Sequence, residues 1–440
     1  MNVMSGYTLP SDWRKIRLKW LLSALESGRR EVSDTENFEG QALSIGGEHI
    51  GWQGQWQLEN PRYVSRVFFG EMSSGKVQQD DVLLVKDGAT IGKVAIAESL
   101  PASEVAVNEH VFLLRFNKQN NPKFYFYFIQ SSLAQDQIQL EVRGSAQPGL
   151  NSEFRNSVVA PQPPKATQGA IAVYLDRQTA RLDRLIGAKE RLLELLAEKR
   201  RALITHAVTR GLDSSAPLRD SGVPWLGQIP THWRISRLRW FIRTLEQGWS
   251  PEAENRTPDK MEWGVLKLNA VSRGKFDAEA AKALPSGLDI PPNLQVNSGD
   301  FLITRANTPE LVGDVCFVKD LRPHLMLSDL IYRVRLSEEQ LDGDYLSHFL
   351  LVPVGRRQIE ADARGTSNSM VKISQEHIKN WWLPVPPLDE QRDIVAHIIT
   401  ETAKLDSLGA ATKRTIALLK ERRAALIAAA VTGQIPMEDF

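Results

Sequence analysis

The stretch PSDWRKIRLKW at residues 10–20 returns as PTHWRISRLRW at residues 230–240. Pro10, Trp13, Arg14, Arg17, Leu18 and Trp20 therefore reappear as Pro230, Trp233, Arg234, Arg237, Leu238 and Trp240, each 220 residues later. Glu26 and Gly28 recur as Glu246 and Gly248 at the same offset. Far downstream, EKRRALI at 198–204 returns as ERRAALI at 421–427, an offset of 223. Long stretches between these anchors share little. A duplicated scaffold with two diverged inserts suggests one chain that reads two different things at a fixed separation.

Each half keeps the same order of parts. A short amphipathic opening is followed by a variable region, roughly 30–75 and 250–295, rich in Gly, Asn, Ser and Pro and read as short strands and loops. DVLLVK at 81–86 then aligns with DFLITR at 300–305, an apolar strand led by an acidic turn residue. IGKV at 91–94 answers VGDV at 312–315, and NEHVFLLR at 108–115 answers SDLIYRVR at 328–335. A helix pattern follows (Phe124 to Ile138, Tyr345 to Ile359) and leads into Arg143 and Gly144, or Arg364 and Gly365. These pieces describe a compact α+β domain in each half.

Each half closes on a proline cluster, Pro161, Pro163 and Pro164 or Pro384, Pro386 and Pro387, which stops a strand and opens a helix. No proline interrupts 168–209 or 390–432. Leu182, Leu185, Leu192, Leu196 and Leu203 fall at near-heptad steps, and Leu405, Leu408, Thr415, Leu419 and Leu426 hold the same places in the second copy. Such a stripe predicts a long helix packed lengthwise on another helix, a rod of about 63 Å at 1.5 Å per residue. Gly211 and Gly433 fit as C-terminal stops.

Composition narrows the class. At 440 residues, with 42% apolar and 24% charged residues, the chain can build two real cores. Its single cysteine, Cys316, excludes a disulfide framework and a cysteine-based zinc site. No apolar run reaches the ~18–20 residues that span a bilayer, and the first residues lack a signal-peptide pattern, so a cytoplasmic chain is expected. The net charge of +1 is neutral on nucleic-acid binding, whose electrostatic footprint is local.

Catalytic motifs are wanting. Gly88 to Val94 has one residue too few between its glycines for a P-loop and lacks the metal-binding hydroxyl. NPKF at 121–124 resembles an amino-methyltransferase signature, yet no glycine-rich donor turn precedes it, and it reads as a helix start. PDK at 258–260 has no acidic partner motif of a metal nuclease. Neither a zinc-binding histidine spacing nor a nucleophile elbow occurs. What remains is recognition. Lys86 and Arg305 at strand ends, Arg143 and Arg364 before glycine turns, and Lys76 and Lys93 nearby are the candidate DNA contacts, able to grip phosphates or reach guanine edges. Trp52, Trp56, Trp249 and Trp263 lie in the variable regions, as core or as part of a reading surface.

DSGVPWLGQIPTHW at 220–233, LPVPPLDEQRDI at 383–394 and the closing VTG at 431–433 together resemble the specificity (S) subunit of type I restriction–modification enzymes. The resemblance covers the whole chain, with two departures. The first half lacks the PWLG element ahead of Pro10, and its helix entry has Thr167 before Gln168 where the second has Glu390 before Gln391. The resemblance implies an α+β fold: two similar target recognition domains of mixed α/β structure, 1–164 and 212–387. These would be separated by a pair of long antiparallel coiled-coil helices, 165–211 and 388–440, in an internal pseudo-twofold repeat. Each domain would read half of a split, asymmetric target on double-stranded DNA. The helices would set the spacing and dock two modification (M) subunits through Leu182, Leu185, Leu192, Leu196, Leu203, Leu405, Leu408, Leu419 and Leu426. The chain itself would be non-catalytic and hold no cofactor or metal; the M subunits would use S-adenosylmethionine, and restriction (R) subunits ATP and Mg. Two other functions stay open at this point: a two-headed scaffold that binds protein, and a DNA-modifying enzyme with an unrecognised site.

Overall fold

The structure is a computed structural model, and it describes residues 8–31, 41–144, 148–363, 370–436 and 438. The chain divides into two compact units: the residues up to Glu190 together with those from Lys413 onward, and Arg191–Thr412. Helix and sheet are mixed in both.

In the first unit the run DVLLVK becomes the strand Val82–Val85, central in a four-stranded antiparallel sheet. Its neighbours are Val111–Phe116 on one side and Val94–Ile96 on the other, and Leu22–Ser27 pairs with the far edge of Val111–Phe116. Side chains alternate across a strand. Val82 and Leu84 therefore join Phe112, Leu114 and the helix residues Phe124, Phe128 and Leu133, while Leu83 and Val85 join Leu43, Ile45, Val105 and Val107 of a three-stranded sheet behind. Burial on both faces is why the strand reads as an unbroken apolar run. Each such side chain contributes roughly 1.5–3 kcal/mol by leaving water.

The second unit repeats the construction. Phe301–Thr304 lies between Ile331–Leu336 and Val315–Phe317, with Ile242–Gln247 outermost. Phe301 and Ile303 face Tyr345, Leu346 and Phe349; Leu302 and Cys316 face Leu266, Val296 and Leu325. Asp81 and Asp300 open the equivalent strands by the same turn, accepting the backbone N–H of Gln78 at 2.7 Å and of Asn297 at 2.8 Å. The tryptophans of the repeated opening part company. Trp13 and Trp233 are buried, whereas Trp20 and Trp240 are exposed in both copies.

The predicted helix after each sheet is two helices. Pro122–Gln130 gives way to Ser132–Glu141, and Gly343–Leu351 to Pro353–Asp362. Ser131 caps the next turn by accepting from the Ala134 N–H at 3.4 Å, and Pro353 lacks the N–H that a continuing helix needs. The long helices are Lys165–Arg210 and Leu388–Val431. Their entries are locked alike. Gln168 donates to the Pro163 carbonyl and accepts from the Asn121 N–H; Gln391 donates to the Pro386 carbonyl and accepts from the Asp342 N–H. Both glutamines are buried, and each ties a long helix to the start of the first short one.

The buried face of these helices follows the predicted leucine stripe only in part. In the first unit it runs Ile171, Leu175, Thr179, Leu182 and Ile186; in the second, Ile394, Ile398 and Thr402 stand at the equivalent places, with Leu405 partly buried. Leu185 and Leu408 are 45% and 47% exposed, so both lie outside the helix-to-helix seam. One residue turns a helix by about 100°, which carries Leu185 well off the face that Ile186 occupies. Leu192, Leu196 and Leu419 are partly buried, and Leu203 and Leu426, also partly buried, pack against the two domain cores. Within each unit the two helical segments run antiparallel. Asp183 meets Arg423 (2.9 Å) and Glu190 meets Lys420 (3.2 Å) in the first, and Arg200 pairs with Asp406 in the second.

Candidate nucleic-acid interface

One end of each four-stranded sheet gathers the variable loops. In the first unit, the strand Val82–Val85 runs out into Lys86, whose N–H donates to the His110 carbonyl at 3.0 Å. The Lys86 carbonyl accepts from the Leu150 N–H at 2.8 Å, and Asp87 and Arg143 both bridge to Gly149. Lys86 and Arg143, distant in sequence, thus share one loop cluster. The Lys86 ammonium lies 4.8 Å above the Phe112 ring and has no ion pair among the described residues, and Arg143 is exposed. His110 stands beside Asp87 at 3.2 Å, a neighbouring acid that softens the local positive potential.

Lys93 turns out otherwise than expected. It is only 9% exposed, its ammonium 5.7 Å from the ring centre of Trp52, which is 58% exposed. Trp52 sits on the tight turn Gly51 to Gln55, closed by N–H donation from Gly51 to the Gln55 carbonyl and from Gly54 to the Gly51 carbonyl. At Gly54 a Cβ would come within 2.5 Å of the Phe126 ring, so this turn can lie flat on the helix only with glycine there. Lys93 supports the tip and Trp52 presents it. Lys76 lies elsewhere. Its ammonium donates to the Gly70 carbonyl at 3.0 Å and lies over Phe69, while its own carbonyl accepts from Arg115, which pairs with Asp81. It belongs to the opposite end of the strand from Lys86.

In the second unit Arg305 takes the place of Lys86. Its N–H donates to the Leu330 carbonyl at 2.7 Å, and its guanidinium to the Asp329 carbonyl at 3.3 Å. Ala306 and Asn307 pair with Lys372 and Val371, on the segment that follows Arg364. Arg364 itself lies outside the described residues. Position 93 is replaced by Asp314, buried and accepting from the backbone N–H of Arg273 at 2.8 Å and of Val315 at 3.2 Å. Burial pushes the Asp314 carboxyl above the usual range, against the pull of those two donors.

Arg273 belongs to a hairpin, Val271–Ser272 paired with Lys275–Phe276, which the sequence reading missed. The available signal was a two-residue Arg–Gly turn between strand-like residues, hard to see because such turns favour Asn, Asp or Gly at the first position. Two hollows flank the hairpin. One, of 400 Å³, is lined by Lys267, Asn269, Ser272 and Asn307 among others; the second, of 570 Å³, includes Arg201, Arg273, Lys275 and Arg356. Among the described residues no cluster of His, Cys, Asp and Glu could hold a metal ion, and no helix is long and apolar enough to cross a membrane.

A family model described as the type I restriction modification DNA specificity domain matches residues 10–195. The specificity subunit of the type I restriction enzyme EcoEI of Escherichia coli is 29% identical over 208 residues, which are 47% of this chain and 35% of that protein. The chain thus spans about a third of that relative's length. The EcoKI specificity subunit of Escherichia coli K12 is 24% identical over 371 residues, 82% of this chain and 76% of that protein. Among solved structures, a chain from work on complex assembly and conformational transition of the type I R-M system superposes with a TM-score of 0.72. It is 19% identical and the match covers 98% of this chain and 100% of that one, a likeness of fold. Repeat, fold and relatives agree in one likeness, to the specificity subunits of type I restriction–modification enzymes.

Proposed function

We propose that this chain is the DNA-reading subunit of a type I restriction–modification complex, each unit reading one half of a bipartite, asymmetric target on double-stranded DNA. The observation that carries the reading is that two equivalent loop clusters stand on the same sheet end with different residues: Lys86, Arg143 and a Trp52 tip in one, Arg305 and an Arg273 tip in the other. One framework with two chemistries suits two unlike half-sites. The recognition domains are 1–164 and 212–387. The helices at 165–211 and 388–440 form an antiparallel coiled-coil pair that relates the domains by a pseudo-twofold axis, fixes the gap between half-sites and docks two methyltransferase subunits. Adenine methylation with S-adenosylmethionine, and ATP- and Mg-dependent cleavage by restriction subunits, belong to those partners; the chain performs no bond chemistry and works in the cytoplasm beside the genome.

The test is to assemble the chain with its methyltransferase partner, expose the complex to a randomised DNA library and map methylated adenines by sequencing. The expected result is a split site with unlike halves and a constant gap, with no turnover by the chain alone. Methylation without sequence preference, or turnover by the pure chain, would overturn the reading.

A further inference from the structure

Arg273 holds a backbone conformation that a side-chain-bearing residue rarely adopts, with φ at 47°, and Gly274 follows at 82°. Ser272 and Lys275 pair directly across the turn, so this is a two-residue hairpin with both central residues left-handed. Asparagine or glycine would adopt it with less strain. An arginine kept at such a position points to use of its side chain. The backbone of the tip is fixed twice: the Arg273 N–H donates to Asp314 at 2.8 Å, and the Gly274 N–H to the Val315 carbonyl at 2.9 Å. Beneath it, a Cβ on Gly274 would come 2.9 Å from Leu351, so the turn is seated closely on the helix. The guanidinium, by contrast, is exposed and has no hydrogen bond or ion pair among the described residues, its charge acting only at a distance on the Asp314 carboxyl, whose pKa it lowers against the effect of burial.

A rigid tip with an exposed guanidinium that makes no hydrogen bond suits base reading more than phosphate contact. Phosphates tolerate a mobile point charge, whereas a bidentate contact to a base edge needs its carrier held to within about 0.5 Å. A two-stranded ribbon fits the major groove, and arginine pairs there with O6 and N7 of guanine. The corresponding turn of the first unit, around Gly54, offers Trp52 and Gln53 and no cation.

Resting on the DNA-reading function proposed above, we infer that Arg273 is a specificity-determining residue that reads one guanine in the half-site of the second unit, with Asp314 as the residue that positions its hairpin. The first half-site has no such reader from this turn.

The experiment maps methylation by the complex assembled with wild-type chain, with Arg273→Gly and with Arg273→Asn, and measures the melting temperature of each. Both substitutions suit the left-handed backbone, so stability should hold or rise. Guanine preference should fall roughly ten-fold or more at one position of one half-site, with the other half-site unchanged. Full preference at every position, or a uniform loss of affinity for all sequences, overturns the inference and leaves the general function standing. Absence of any sequence preference in the wild-type complex would instead overturn the function itself.

Discussion

The two repeats solve one electrostatic problem in different ways, and the difference yields a quantitative expectation. Both place a glutamate and an aspartate beside the middle of the sheet, Glu26 with Asp81 and Glu246 with Asp300. Burial pushes Asp81 and Asp300 up from the usual range, and the neighbouring arginine pulls each back. In the first unit Arg115 serves both acids, at 2.7 Å from Asp81 and 3.5 Å from Glu26. In the second, Arg335 holds the place of Arg115 but is half-exposed, 3.6 Å from Asp300, while the fully buried Arg333 takes over. Arg333 reaches Glu246, Asp300 at 3.4 Å and the carbonyls of Asn293 and Gln295; its counterpart in the first unit is Leu113.

Replacing Arg333 with Leu therefore recreates the first unit's arrangement with one cation still in reach. Removing one partner of a buried ion pair ordinarily costs about 3–5 kcal/mol. If Arg335 swings inward as Arg115 does, the cost should fall to about 1–2 kcal/mol, essentially the lost hydrogen bonds to two carbonyls. Arg335→Ala alone should cost at most about 1 kcal/mol, as for an exposed pair. The double variant should cost about 3–5 kcal/mol, so the two changes should be non-additive by roughly 2 kcal/mol. Urea denaturation supplies the sums, and hydrogen exchange in the peptides 300–306 and 331–336 localises the loss to the second unit. Additive costs, or a single Arg333→Leu as damaging as the double, would refute the idea that the repeats are interchangeable at this site.

Three other outcomes follow from the geometry. Lys86→Ala or Arg305→Ala should weaken binding to all DNA alike and flatten the salt dependence by roughly one unit if each grips a phosphate, whereas Lys76→Ala, at the far end of its strand, should change neither; titration at several salt concentrations decides. His348 lines the larger hollow, and burial depresses its pKa despite Asp344 and Asp342, with Lys319 and Arg200 acting in the same direction as burial. The unfolded chain thus takes up this proton first, so stability is full above pH 6.5, lost as pH falls toward the depressed value, and less pH-dependent in His348→Gln. Four residues inserted after Lys189 add about one turn, ~6 Å, and should lengthen the gap between half-sites by one or two base pairs of about 3.4 Å while leaving the bases of each unchanged; methylation mapping shows both.

The strands were legible because they are buried on both faces. An unbroken run such as VLLV at 82–85 or FLIT at 301–304 has few other uses in a chain this polar. The long helices were legible from proline at their entries and its absence within. Their buried face was legible only where the stripe crosses it, at Leu182 and Leu405; elsewhere the repeat places isoleucine and threonine there, Ile171, Thr179, Ile394 and Thr402, and a search for leucines alone drifts to the neighbouring face. Lys93 could not be separated from Lys86 by sequence, because the Trp52 ring that stands by its ammonium comes from a turn far upstream. Arg273 escaped for the opposite reason: local propensity argues against a turn at an arginine, and only the finished hairpin shows that the strain is accepted.

That pattern bears on how a duplicated chain diverges. Residues that hold the sheet and helices together are repeated almost one for one: Asp81 and Asp300, Gln168 and Gln391, Trp13 and Trp233. Divergence sets in where the frame meets the loops. Position 93 or 314 is the clearest case, since the same place below the variable tip carries a cation under an aromatic ring in one unit and a carboxylate under a backbone N–H in the other. A swap there alone would put a lysine beneath Arg273, two cations competing for one site, or an aspartate beneath Trp52 without the N–H that Arg273 supplies. The tip and its support must therefore change together. Exchange of whole variable segments, including this support, should transfer base preference more cleanly than any transplant of exposed tip residues.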